Sequence, residues 1–180
     1  GVSTGDVVLI QSQTASNSAT ISFTSGIDST YGEYIFRFYN INPATDATFF
    51  AWQANASGQS GYNETITSTF FYAQHSSAEN PNLEYDGDHD QAQGTAFQRF
   101  AREVGGAADE SLVGELHLFN PSSTTFVKHF HSRTEHHNDS AYAMDSFAAG
   151  YINVTAAITN VQFKMESGNF DGKIKTWGVK

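Results

Sequence analysis

The chain has 180 residues, enough for one domain with a substantial core and too few for two full ones. Nineteen acidic residues against nine basic ones give a formal charge of −10, and no basic cluster offsets it, which argues against a nucleic-acid partner. Cysteine is absent, so no disulfide staples the fold, and no apolar run approaches the roughly 20 residues of a bilayer-crossing helix, which argues against membrane insertion.

Fifteen phenylalanines and eight tyrosines interleaved with Ser, Thr, Asn and Gly suit strands and turns rather than helices. Val7-Val8-Leu9-Ile10-Gln11 and Ala19-Thr20-Ile21-Ser22-Phe23-Thr24 are short β-prone runs that read as an opening hairpin, and residues 1–25 as a whole could dock as a strand or hairpin. After turn residues Gly26 to Gly32, the run Glu33 to Ile41 is apolar on both faces except at Arg37 and Asn40. That marks a central strand.

A turn at Asn42-Pro43-Ala44-Thr45-Asp46 precedes the strand Thr48 to Ala54, which carries Phe49, Phe50 and Trp52, and pairing through a tight turn is expected. Another strand spans Glu64 to Tyr72. Residues Gln74 to Gly94 lack regular alternation, contain Pro81 and an acidic run, and read as a long surface excursion. Phe97, Phe100 and Val104 have the spacing of one or two helical turns, though neither period fits well.

The clearest hairpin follows. Leu116 and Leu118 share a face, Phe126 and Phe130 share a face of the next run, and Asn120-Pro121-Ser122-Ser123-Thr124 turns between them. Ala141 to Val154 and Ile158 to Met165 continue the pattern, with Val161, Phe163 and Met165 opposite Gln162 and Lys164. Ser167 to Gly172 then turns into a closing strand, Lys173 to Val179. Nine or ten such strands predict a single all-β domain over residues 1–180: an antiparallel two-sheet β-sandwich of jelly-roll-like form.

Three stretches, Gly26 to Phe36, Leu118 to Lys128 and Lys164 to Ile174, together resemble tailed-bacteriophage virion surface proteins of marine type, such as tail-fibre C-terminal domains and other particle appendages. The resemblance covers most of the chain from about Ile10 onward. It implies a β-sandwich, no enzymatic activity, a place on the virion surface, contacts with other virion proteins and assembly as a homotrimer. Host attachment through a surface glycan and capsid decoration are the roles it leaves open, with a free lectin-like module as a rival.

Few residues have the spacing of a site. Asp86-x-Asp88-x-Asp90 offers the alternating carboxylates with which a loop can wrap Ca²⁺, but it lacks the glycine and distal glutamate of the helix-loop-helix calcium motif, so a solvated acidic tip is the simpler expectation. His129 and His131 share a strand face and could hold a transition metal, and three such pairs around a trimer axis would offer six imidazoles. Tyr85 and Tyr142, beside Asn, Gln and Asp, are candidates for a sugar-binding platform. No Gly-x-Ser-x-Gly elbow, His-Glu-x-x-His pair or phosphate-cradling glycine loop is present, and the sequence singles out no catalytic residue.

Overall fold

The computed structural model describes residues 6–180, among which thirteen strands form two packed antiparallel sheets. The strands are β1 (Val7–Ser18), β2 (Thr20–Phe23), β3 (Glu33–Pro43), β4 (Thr48–Ala56), β5 (Ile66–Ser76), β6 (Pro81–Tyr85), β7 (Ala92–Gly94), β8 (Gln98–Val104), β9 (Leu112–Phe119), β10 (Lys128–His137), β11 (Tyr142–Ile152), β12 (Ile158–Met165) and β13 (Phe170–Val179). The larger sheet runs β1-β13-β3-β9-β10-β11-β5-β6, with β7 also on β5. The smaller runs β2-β12-β4-β8.

The fold is the expected β-sandwich, and its strand count exceeds the nine or ten predicted because the segment read as a surface excursion supplies β6 and β7 and the segment given helical spacing is β8. β6 pairs with β5 from Phe71–Tyr85 to His75–Pro81, and β7 pairs with its other end at Ile66 and Thr67. These short, polar pieces lack alternation of their own and take their conformation from the partner strand.

The expected opening hairpin is corrected. β1 pairs with β13 in the large sheet and β2 with β12 in the small one, so the two cross the sandwich instead of pairing. Asn17, at φ 48°, and a bulge between Ala15 and Ser18 turn the chain there. β3 and β4 also lie in different sheets, which corrects the tight-turn pairing expected of them. Residues Phe97 to Val104 are a strand, not a helical turn. A bulge at Glu103, φ 52°, shifts Val104 back onto the inner face beside Phe100, which produces the irregular spacing.

Because strands alternate their side chains, β3 sends Tyr34, Phe36 and Phe38 between the sheets. Ile35, on the other face, is also buried, lying in register between Trp177 and His117. Across the gap the small sheet contributes Phe50, Phe100 and Phe163. Phe38 meets these three rings at 5.3, 5.2 and 5.3 Å, and Phe50 meets Phe100 at 5.0 Å. Such pairs add about 0.5–1.5 kcal/mol each beyond the apolar area they bury. Trp52 extends the layer by packing edge-on to Phe130 at 5.0 Å.

β9 and β10 form the predicted hairpin, with Phe130 opposite Leu118 and Ser132 opposite Leu116. One detail differs. Phe126 precedes β10 and is 70 % exposed, whereas Lys128 takes the inward position and is fully buried. Its ammonium donates to the carbonyls of Phe126, Val154 and Thr155 at 2.7, 3.1 and 3.2 Å, which satisfies all three N–H bonds and ties the hairpin turn to the end of β11. Burial pulls its pKa below the ordinary lysine value.

Beyond Phe130, the inward face of β10 is polar for a related reason. β8 is the open edge of the small sheet, and an open edge exposes unpaired carbonyls. Thr134 Oγ1 donates to Phe100 O at 2.6 Å, and His136 Nε2 lies 2.6 Å from Arg102 O, so side chains of the large sheet cap the edge of the small one. Beyond them, Gly105 N donates to His137 O, Asp139 N donates to Glu103 O, and Val104 bridges Asn138.

A carbonyl only accepts, so His136 Nε2 carries a hydrogen and the neutral ring leaves Nδ1 bare, without a partner. Burial pushes its pKa from 6.5 down to about 4, against smaller opposing effects of the Arg102 carbonyl and Glu103.

Two stability measurements test these contacts. Lys128→Met removes the donor from three carbonyls and is expected to cost about 2–3 kcal/mol in urea unfolding at pH 7, whereas a loss under about 0.5 kcal/mol would show them satisfied without it. For His136, the unfolded chain binds a proton below about pH 6.5 that the folded chain refuses until about pH 4. Stability is therefore full above that window and falls on acidification through it, by up to about 3 kcal/mol. His136→Gln keeps a donor for Arg102 O and should flatten the slope between pH 6.5 and 4.5, and an unchanged slope would assign it to other groups.

Candidate functional site

The broadest surface is the outer face of the large sheet. Strand register sets its side chains in rows, one of which runs Leu9, Trp177, Ile35, His117, His131, Ala149 and Thr69 from β1 to β5. His131 is thus placed beside His117, and their rings stack at 4.5 Å. His117 is held by carboxylates at both nitrogens: Glu33 at Nδ1 and Glu115 at Nε2, the latter at 3.1 Å. Burial, and then the neighbouring His117, lower the pKa of His131.

His129 lies two residues away on the same face, against Tyr151 at 6.2 Å. The closest imidazole pair therefore crosses strands rather than running along β10. Sequence reasoning missed His117, because only the β9–β10 register shows it opposite His131. Among the described residues, no group of three His, Asp or Glu side chains comes together in a form that could hold a metal ion.

The next row runs Ser12, Lys175, Arg37, Glu115, Arg133, Phe147, Phe71 and Tyr85. Phe71 and Phe147 stack at 4.8 Å with an interplanar angle of 7°. Arg133 lies 5.1 Å over the Phe147 ring and is forked onto Asp145, with Nε at 2.9 Å and Nη2 at 2.6 Å. A shallow cleft of about 350 Å³ runs along this pair as far as His131. Here an aromatic floor is flanked by charges that already neutralise one another.

Tyr85 lies at the rim of that row, exposed on β6, with its hydroxyl on Asp90. Tyr142 begins β11 opposite Ser76, five residues along β5 from Phe71, or about 17 Å, and packs against the core. The two tyrosines therefore sit at separate places and form no common platform.

The three aspartates part company as well. Asp86 is not part of a solvated tip: it is buried, accepts from Arg102 Nη1 at 2.9 Å and from Asp88 N at 3.0 Å, and lies 2.9 Å from His89 Nδ1. Burial would raise its pKa, but His89, the Asp88 amide and Arg102 outweigh it and hold the carboxyl below the ordinary range. Asp90 is taken by Tyr85, and Asp88 is exposed. The alternation that suggested a cation loop places one carboxylate inward and two at the surface.

The edges of the large sheet differ from each other. β6 is short and carries Pro81 and Glu84, both of which discourage pairing with another strand. β1 has twelve residues, none charged, and leaves Val7 53 % and Leu9 46 % exposed. No protein-family model matches this chain, and no curated protein matches it.

Proposed function

We propose that the chain is a non-enzymatic module of a virion surface, a tail-fibre or appendage domain that assembles with copies of itself and serves host attachment. The observation that carries this is β1. Natural sheets guard a free edge with charge, proline or short length, and a twelve-residue uncharged edge with exposed Val7 and Leu9 is a template for association unless something covers it. Its bulges bend the strand without charging it.

A second copy is the proposed cover. The far rim of the same sheet, guarded against strand pairing by Pro81 and Glu84, exposes Leu83 and Tyr85 for side-chain packing, so Val7 and Leu9 of one copy against those side chains of the next make a head-to-tail contact, which closes as a ring of three when the rotation permits. Two of the stretches that carry the likeness to phage particle proteins meet at one end of the sandwich, where Asn120 N donates to Gly32 O at 2.7 Å. The third, around Gly168 at φ +74°, links β12 to β13 across the two sheets.

Light scattering across a wide concentration range tests the assembly: a trimer is expected, and a double Val7→Lys, Leu9→Lys variant should be a folded monomer by circular dichroism. A wild-type monomer throughout, or a dimer, would overturn the ring. Cryo-electron microscopy of particles carrying the protein tests its place, since density at tail or fibre sites supports attachment and regular density over the shell supports decoration.

A further inference from the structure

On the side of the small sheet away from the core, a second cavity of about 340 Å³ lies under the chain from Asp88 to Phe97, within the usual size range of small-molecule sites. Its floor comes from outward residues of β4, β8 and β12, because Ala51, Arg99 and Lys164 alternate with the inward core rings.

His89 is the informative wall residue. It is only 7 % exposed, held between Phe49 and Phe70 with ring centroids at 5.0 and 5.2 Å, and its Nε2 is buried without a hydrogen-bond partner. Its Nδ1 is taken by Asp86 at 2.9 Å, so Nε2 is the atom left for something else to meet. Buried polar groups without partners are uncommon, and one lining a cavity points to a ligand.

The remaining groups narrow the chemistry. Asp88, Asp90 and Glu166 line it together with Arg99 and Lys164; Asp90 also holds the Tyr85 hydroxyl, Arg99 sits on Glu166 at 2.6 Å, and Lys164 lies 5.1 Å over the Phe97 ring. Three carboxylates oppose a free anion, two cations oppose a free cation, and an apolar ligand would strand the polar lining. Hydroxyl groups both donate and accept, so a polyol satisfies both signs at once.

We propose that this cavity binds one pyranose unit of a neutral saccharide, with carboxylates accepting from its hydroxyls, Lys164 donating to them, and Phe97 against a ring face. All the lining residues come from one chain, so the site does not depend on assembly through β1 and can fail or hold separately.

Saturation-transfer NMR with the intact protein and a panel of free hexoses and N-acetylhexosamines, each up to about 50 mM, tests it. A ligand of about a dozen non-hydrogen atoms is expected to bind with a dissociation constant near 1 mM. Asp88→Asn and Lys164→Gln, neither of which alters a buried side chain, should each weaken binding about tenfold with the unfolding midpoint unchanged. Silence from every sugar, a signal indifferent to both substitutions, or full displacement by an equal concentration of inorganic phosphate would each overturn the assignment.

Discussion

Everything in this molecule depends on the phenylalanine layer between the sheets. Without a disulfide, the two sheets stay together by what they share, and Phe36 and Phe38 from one side meet Phe50, Phe100 and Phe163 from the other. Close packing of large rings leaves little tolerance for sliding. The strand registers, and with them the rows of side chains on both outer faces, follow from that layer.

Rings do not reach the margins, where strand ends and the open edge of β8 bring backbone polar groups under cover. There the chain uses polar side chains that point inward: Lys128 on three carbonyls, Thr134 and His136 on the edge of β8, and Gln98, which accepts from Ser68 at 2.6 Å and donates to His89 O at 3.0 Å. Stability thus has two components of different character. The aromatic layer is indifferent to acidity, whereas the polar seam includes one imidazole, His136, that is neutral when folded.

What could be read beforehand was local. Alternation gave β12 its buried face of Val161, Phe163 and Met165, an apolar run on both faces gave β3 its central place, and the polar residues Asn120 to Thr124 between two alternating runs gave the β9–β10 turn. The sheet to which each strand belongs was not legible, because β1 and β2 have the same composition whether they pair or part, and only the bulge near Asn17 decides. Lys128 and His136 broke the apolar pattern for reasons that lie in carbonyls of other strands. His117 and the inward turn of Asp86 were invisible for the same reason: their partners, His131 and Arg102, are set by register and by the crossing of sheets.

The position of β13 has a kinetic consequence. This strand lies between β1 and β3, so the first strand of the described chain has its main-chain partner in the last. During synthesis, β9, β10 and β11 can pair in turn as they emerge, with β5 joining once β11 is made, but β1 must wait, solvated and uncharged, until β13 has been made. Closing that loop across nearly the whole chain carries a large entropic cost and is slow compared with hairpin formation. The interval in which β1 is unpaired is when this protein is most open to joining the wrong strand, its own or another copy's.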